Sequence, residues 1–212
     1  EYSRYNAHGT LFYAPDAYRS SDHDPVVVGL TADAAPVSLT LLGINDFHGH
    51  LEATDPPLDR ALDPAQTAVG GAAYLQTTLE TLRKKASKKG SLTVAAGDLI
   101  GGSPYLSGMF HDEPSVESLN ALGLDVSSVG NHEFDEGTAE LLRMQKGGCH
   151  PVDGCYFPKA PYRGADFRWL AANVVKKDGS GTLLPGTSIK RINGTKVGFI
   201  GMGDLGRAIL PL

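Results

Sequence analysis

Leu39-Thr40-Leu41-Leu42-Gly43-Ile44-Asn45-Asp46-Phe47-His48-Gly49-His50 sets an apolar run directly against side chains that bind cations. The run from Leu39 to Ile44 reads as a strand, and Asn45 to Leu51 reads as a polar loop. The same pattern recurs twice. Leu92 to Ala96 ends at Gly97-Asp98, and Val126 to Val129 ends at Gly130-Asn131-His132-Glu133. Asp46 and His48 are two apart, so on an extended segment they point the same way. Asp98 has two oxygens with which to bridge two cations, Asn131 adds a neutral oxygen, and His132 adds an imidazole.

Helical stretches separate these strands. Residues 70–86 place Leu75, Leu79 and Leu82 on one face, with Arg83, Lys84 and Lys85 near the C-terminal end, where cations oppose the dipole. Glu113 to Leu122 reads as a short helix closed by Gly123, and Gly137 to Gln145 as another. Trp169 to Val175 reads as a strand. Ile189 to Ile192, Asn193-Gly194 and Lys196 to Gly201 read as a β-hairpin with a type I′ turn. Strand alternating with helix at this spacing predicts a layered α/β fold, in which ligands gather at the carboxyl ends of strands. All three cation-binding clusters fall at such ends.

Upstream, Thr10 to Tyr13 and Val26 to Leu30 read as short strands, and residues 31–37 as a linker that separates a tail over 1–30 from the domain over 38–212. The 212 residues are 41% hydrophobic and 20% charged, which is a globular rather than a disordered composition. A formal net charge of −5 argues against a broad basic face for nucleic acid, and no apolar run is long enough to span a membrane. Cys149 and Cys155 flank the turn-rich Gly147-Gly148-Cys149-His150-Pro151-Val152-Asp153-Gly154-Cys155. A disulfide here closes a loop worth roughly 2 kcal/mol and implies an oxidising compartment. The alternatives are two free thiols, or a thiolate zinc site for which only His150 and Asp153 lie nearby. His111 and His150 otherwise read as ordinary surface residues; Tyr105, Phe110 and Phe134 read as buried packing residues near the site, with substrate contact as the alternative.

A mixed set of carboxylate, imidazole and amide suits hydrolysis of a phosphate ester by two cations about 3.5–4 Å apart. Asp46 and His48 fit one cation, Asp98 the bridge and Asn131 the second. His132 is then free to protonate the leaving group, with Asp135 orienting its imidazole.

The motifs Ile44-Asn45-Asp46-Phe47-His48-Gly49-His50-Leu51, Gly70-Gly71-Ala72-Ala73-Tyr74-Leu75, Ala96-Gly97-Asp98, Gly102-Ser103-Pro104 and Val129-Gly130-Asn131-His132-Glu133-Phe134-Asp135 resemble the 5′-nucleotidase branch of the calcineurin-like metallophosphoesterases over about residues 38–204. The resemblance implies the N-terminal half of a layered α/β metallophosphoesterase sandwich, acting on nucleotides in a secreted, periplasmic or cell-surface setting. It implies two divalent metal ions, with zinc, manganese, iron, magnesium and calcium all compatible. The family's ligand roles fall on Asp46, His48, Asp98 and Asn131, and its catalytic pair on His132 and Asp135. The family also uses later histidines and a C-terminal base-reading domain. The seven histidines here are His8, His23, His48, His50, His111, His132 and His150, and none lies later. The expectation is therefore an incomplete site, with little or no turnover by these residues alone.

Tyr18-Arg19-Ser20-Ser21-Asp22-His23-Asp24-Pro25-Val26-Val27-Val28-Gly29-Leu30 resembles the closing strand of the endonuclease/exonuclease/phosphatase superfamily. That resemblance implies a metal-associated carboxylate at Asp22 and a catalytic imidazole at His23, left from a preceding nuclease domain through which nucleic acid would be engaged. Two readings stand beside the nucleotidase: an extracellular nuclease with an accessory phosphoesterase domain, and an inactive metal-binding module.

Overall fold

The structure is a computed structural model that describes residues 38–53, 69–86 and 90–203. The tail over 1–30 with Asp22 and His23, the linker over 31–37 and residues 54–68 lie outside the described residues.

Four strands form a parallel sheet in chain order: β1 (Thr40–Ile44), β2 (Ser91–Ala95), β3 (Val126–Ser128) and β4 (Arg168–Leu170). Between them run α1 (Gly71–Lys85), α2 (Tyr105–Gly108), α3 (Glu113–Leu122), a 3₁₀ turn (His132–Phe134) and α4 (Gly137–Lys146). An antiparallel hairpin of β5 (Thr187–Ile192) and β6 (Thr195–Ile200) follows. Its turn residues Asn193 and Gly194 have φ of 52° and 80°, the left-handed pair that a type I′ turn requires.

Successive strand residues face opposite sides, so both faces of the sheet need a cover. On one face Leu42, Ala95 and Trp169 join Leu79, Val116, Leu119, Leu141 and Met144 from the helices. On the other, Leu92, Val94, Val126 and Leu170 meet Ile192, Val197 and Phe199 of the hairpin. This is the expected α/β layering.

Boundaries move where backbone hydrogen bonds are redirected. The strand expected over Trp169–Val175 ends at Leu170. Beyond it Ala171 donates to Pro185 O and Ala172 to Gly201 O, so the chain leaves β3 and pairs with the segments flanking the hairpin. Arg83 does not simply oppose its own helix dipole. Its guanidinium crosses to donate to Leu122 O (2.5 Å) and Gly123 O (3.3 Å) at the end of α3, where Gly123 takes the left-handed cap.

Candidate metal centre

The loops leaving β1, β2 and β3 meet at one edge of the sheet. Glycine makes that meeting possible. A Cβ on Gly97 would collide with the backbone nitrogen of Gly130, and one on Gly130 would collide with Asp98 Oδ1. The two strand ends thus touch backbone to backbone, with the buried Asp98 carboxylate laid against Gly130.

Glu133 fastens the junction. Its fully buried carboxylate accepts from Asp98 N (3.0 Å), Leu99 N (2.8 Å) and Gly130 N (2.5 Å). Burial pushes this carboxyl up to about 7. The three N–H donors work against that rise, and the Asp98 charge adds to it. Sequence reasoning assigned Glu133 no role. Its signal was a carboxylate three residues after a strand-ending glycine, the spacing at which a side chain reaches back to an unpaired N–H.

Asp46 and His48 do not lie on the extended segment expected of them. Both take left-handed φ, 52° and 42°. The chain turns about the buried Phe47, and His50 N closes the turn on Phe47 O (2.9 Å). Asp46 N and His48 N meanwhile donate to Gly97 O (3.3 Å) and Asp98 O (3.1 Å), which prolongs the β1–β2 pairing into the loop.

His48 Nδ1 lies 2.8 Å from Gly101 O, so it carries the proton and leaves the Nε2 lone pair for a cation. The His48 and His132 rings meet edge to face with centroids 4.8 Å apart. Ligand atoms of His48, Asp98 and His132 all lie within 4.8 Å of one another. His132 N donates to Asp98 Oδ1 (2.9 Å), and His132 Nδ1 pairs with Asp135 Oδ2 (2.8 Å), which also accepts from Gly102 N (3.0 Å). The Asp135 hydrogen bond raises the His132 pKa, and burial opposes it.

Asp46 falls outside the group of three, and Asn131 stands exposed at the head of the 3₁₀ turn. Asp46 Oδ2 is nonetheless a buried carboxylate oxygen with no hydrogen-bond partner among the described residues. Such an atom costs about 1–3 kcal/mol or more unless a donor or a cation satisfies it. The orphaned oxygen, the free Nε2 of His48 and the buried Asp98 together fit a divalent cation.

Cys149 and Cys155 are bonded to each other, with Cα atoms 4.5 Å apart, so neither thiol is open to zinc. Tyr105 is not a packing residue: it is 78% exposed. His111 and His150 are not ordinary surface residues either, since their rings stack 3.8 Å apart.

A model of the family described as calcineurin-like phosphoesterase matches residues 39–201. The chain is 41% identical over 179 residues to the endonuclease YhcR of Bacillus subtilis, covering 81% of this chain and 14% of that protein. It is 33% identical over 177 residues to a snake venom 5′-nucleotidase of Gloydius brevicauda, covering 81% and 26%. The crystal structure of a 5′-nucleotidase precursor from Thermus thermophilus superposes with a TM-score of 0.56 at 27% identity, over 78% of this chain and 28% of that one. The chain thus spans between a seventh and about a quarter of these relatives.

Proposed function

The chain belongs to the calcineurin-like phosphoesterase family, whose members use divalent metals, and we propose that it serves a 5′-nucleotidase-type phosphohydrolase. The substrate of this reading is a nucleotide phosphate ester. The observation that carries it is the convergence of His48, Asp98 and His132 at the carboxyl ends of three parallel strands.

Asp46, His48, Asp98 and Asn131 would hold two divalent cations, which when bound activate water and offset phosphoryl charge. Asp98, buried where β2 and β3 meet, would be the ligand within reach of both. His48 would ligate through Nε2, its Nδ1–H being given to Gly101 O. His132 holds the transferable proton. With Nδ1 engaged by Asp135, its Nε2 is the atom that passes a proton to the departing alkoxide. Asp135 sets the tautomer and is itself steadied by Gly102 N–H. The Cys149–Cys155 bridge favours a secreted, periplasmic or cell-surface setting.

The test is phosphate release from nucleoside monophosphates with added Mn²⁺ or Zn²⁺, by the 212-residue chain and by any longer reading frame containing it. Absence of metal-stimulated release from both would overturn the reading. The identity to endonuclease YhcR favours a second reading, a nuclease with an accessory phosphoesterase domain. Nucleic-acid cleavage that persists in a His132→Ala protein would support it.

A further inference from the structure

Away from the strand ends, the described residues gather two more histidines. His111 and His150 stack with planes 17° apart, and their ligating nitrogens lie within 4.8 Å of each other and of an Asp153 oxygen. His111 Nε2 is 2.8 Å from Asp153 Oδ2, and His150 Nδ1 is 3.3 Å from it. Two pieces of scaffold, about 40 residues apart in sequence, hold this arrangement. His111 and Asp112 form a left-handed pair, with φ of 48° and 59°, between α2 and α3. Asp112 pins that turn by accepting from Gly101 N (2.9 Å) and Ser107 Oγ (2.6 Å). His150 and Asp153 sit inside the Cys149–Cys155 loop, which is closed by reciprocal backbone bonds between His150 and Gly154.

We propose that His111 Nε2, His150 Nδ1 and Asp153 Oδ2 form a second divalent-metal site, separate from the strand-end centre and suited to Zn²⁺. Two imidazoles and one carboxylate are a donor set for a borderline transition ion, with a fourth position left to water. The opposite nitrogen of His111 lies 2.6 Å from Glu136 Oε2. A ligating histidine is commonly oriented in this way, by a carboxylate on its other ring nitrogen. Two successive non-glycine residues held at positive φ cost free energy, and such conformations cluster at binding sites. The side chains of His111, His150 and Asp153 are 19%, 14% and 51% exposed, which leaves an ion a way in.

The grouping of His111, Glu136 and Glu140 is not a competing site. Both Glu140 oxygens are taken by Arg143, at 2.7 to 3.0 Å. Ligation at His150 replaces the contact of Asp153 N–H on Nδ1 (3.1 Å), an exposed hydrogen bond that water can take over. The consequence is a clamp from the disulfide loop through His111 to Glu136, one residue beyond Asp135.

The experiment is calorimetric titration of the metal-free 212-residue chain with Zn²⁺ in three forms: wild type, His150→Phe, and His48→Ala/Asp98→Ala. Phe keeps the stacked ring and removes the ligand. The expected result is that His150→Phe loses one equivalent of zinc, or binds it at least tenfold more weakly. The strand-end double variant should keep that equivalent. Zinc anomalous density in a crystal should then lie between His111 and Asp153. Unchanged stoichiometry and affinity in His150→Phe, or anomalous density confined to the strand ends, would overturn the proposal. Should His150→Phe misfold by circular dichroism, Asp153→Asn takes its place with the same criteria.

Discussion

The His132–Asp135 pair was legible as a pair because three residues on a turning backbone bring side chains together. The 2.8 Å contact is that geometry. In a longer protein that contains this chain and turns over substrate, His132→Ala should lose about 10²–10⁴-fold in kcat, the usual worth of a positioned acid, while keeping the metal. Asp135→Asn should lose about 10–100-fold. Phosphate-release kinetics alongside metal analysis by plasma emission separate the roles, since metal lost with His132 would make that imidazole a ligand. The conformation of Asp46 and His48 was not legible. Period-two spacing predicts a shared side only while the chain stays extended, and nothing in Asn45-Asp46-Phe47-His48 announces left-handed φ at two non-glycine residues. Glu133 went unassigned for a different reason. Only its Gly130 contact is local; the other two partners are backbone N–H groups 34 and 35 residues away, which no local pattern reveals. Glu133→Gln puts an amide donor among three N–H donors, so unfolding free energy from urea titration should fall by about 1–3 kcal/mol, with activity falling too.

Among the elements, β1, β2, α3 and α4 were legible to within a residue or two. Each is an apolar or periodic run bounded by turn formers, and α3 spans Glu113–Leu122 as expected. The short α2 and the 3₁₀ turn were not, because four and three residues carry no period. The point where β2 and β3 end is governed by glycine rather than by hydrophobicity. That is testable with paired substitutions. Gly43 in β1 has nothing among the described residues within 4 Å of where a methyl group would stand, so Gly43→Ala should leave stability within about 0.5 kcal/mol. Gly97 has φ of 117° and backbone of Gly130 and Val129 within 2.9 Å of the same position. Gly97→Ala must therefore push β3 away from Asp98, and should cost about 2 kcal/mol or more together with cation affinity. Equal melting temperatures for the two variants would show that the strand ends have room the geometry does not display.

At the scale of the molecule, the two-faced sheet follows from strands that are apolar on both sides, and the clusters of candidate cation ligands follow from where those strands stop. The segment 147–164 belongs to neither rule. It contributes little to the sheet, yet Gly148 N reaches Tyr162 O (2.8 Å), Tyr162 Oη donates to Met144 O (2.7 Å), and Arg143, ion-paired to Glu113 and Glu140, donates to Gly148 O (2.7 Å). This polar staple fastens one end of the loop to α3 and α4, and the Cys149–Cys155 bond limits what the rest explores when unfolded. Because the closed loop is short, the entropy it removes from the unfolded chain is worth about 2 kcal/mol. In a protein of this size that corresponds to a fall of about 4–8 °C in Tm for Cys149→Ser/Cys155→Ser, and for wild type under reducing agent. Calorimetry with and without reductant checks both. A reduced wild type that melts with the oxidised one would mean that the unfolded loop is already confined without the bond, leaving the disulfide nothing to restrict.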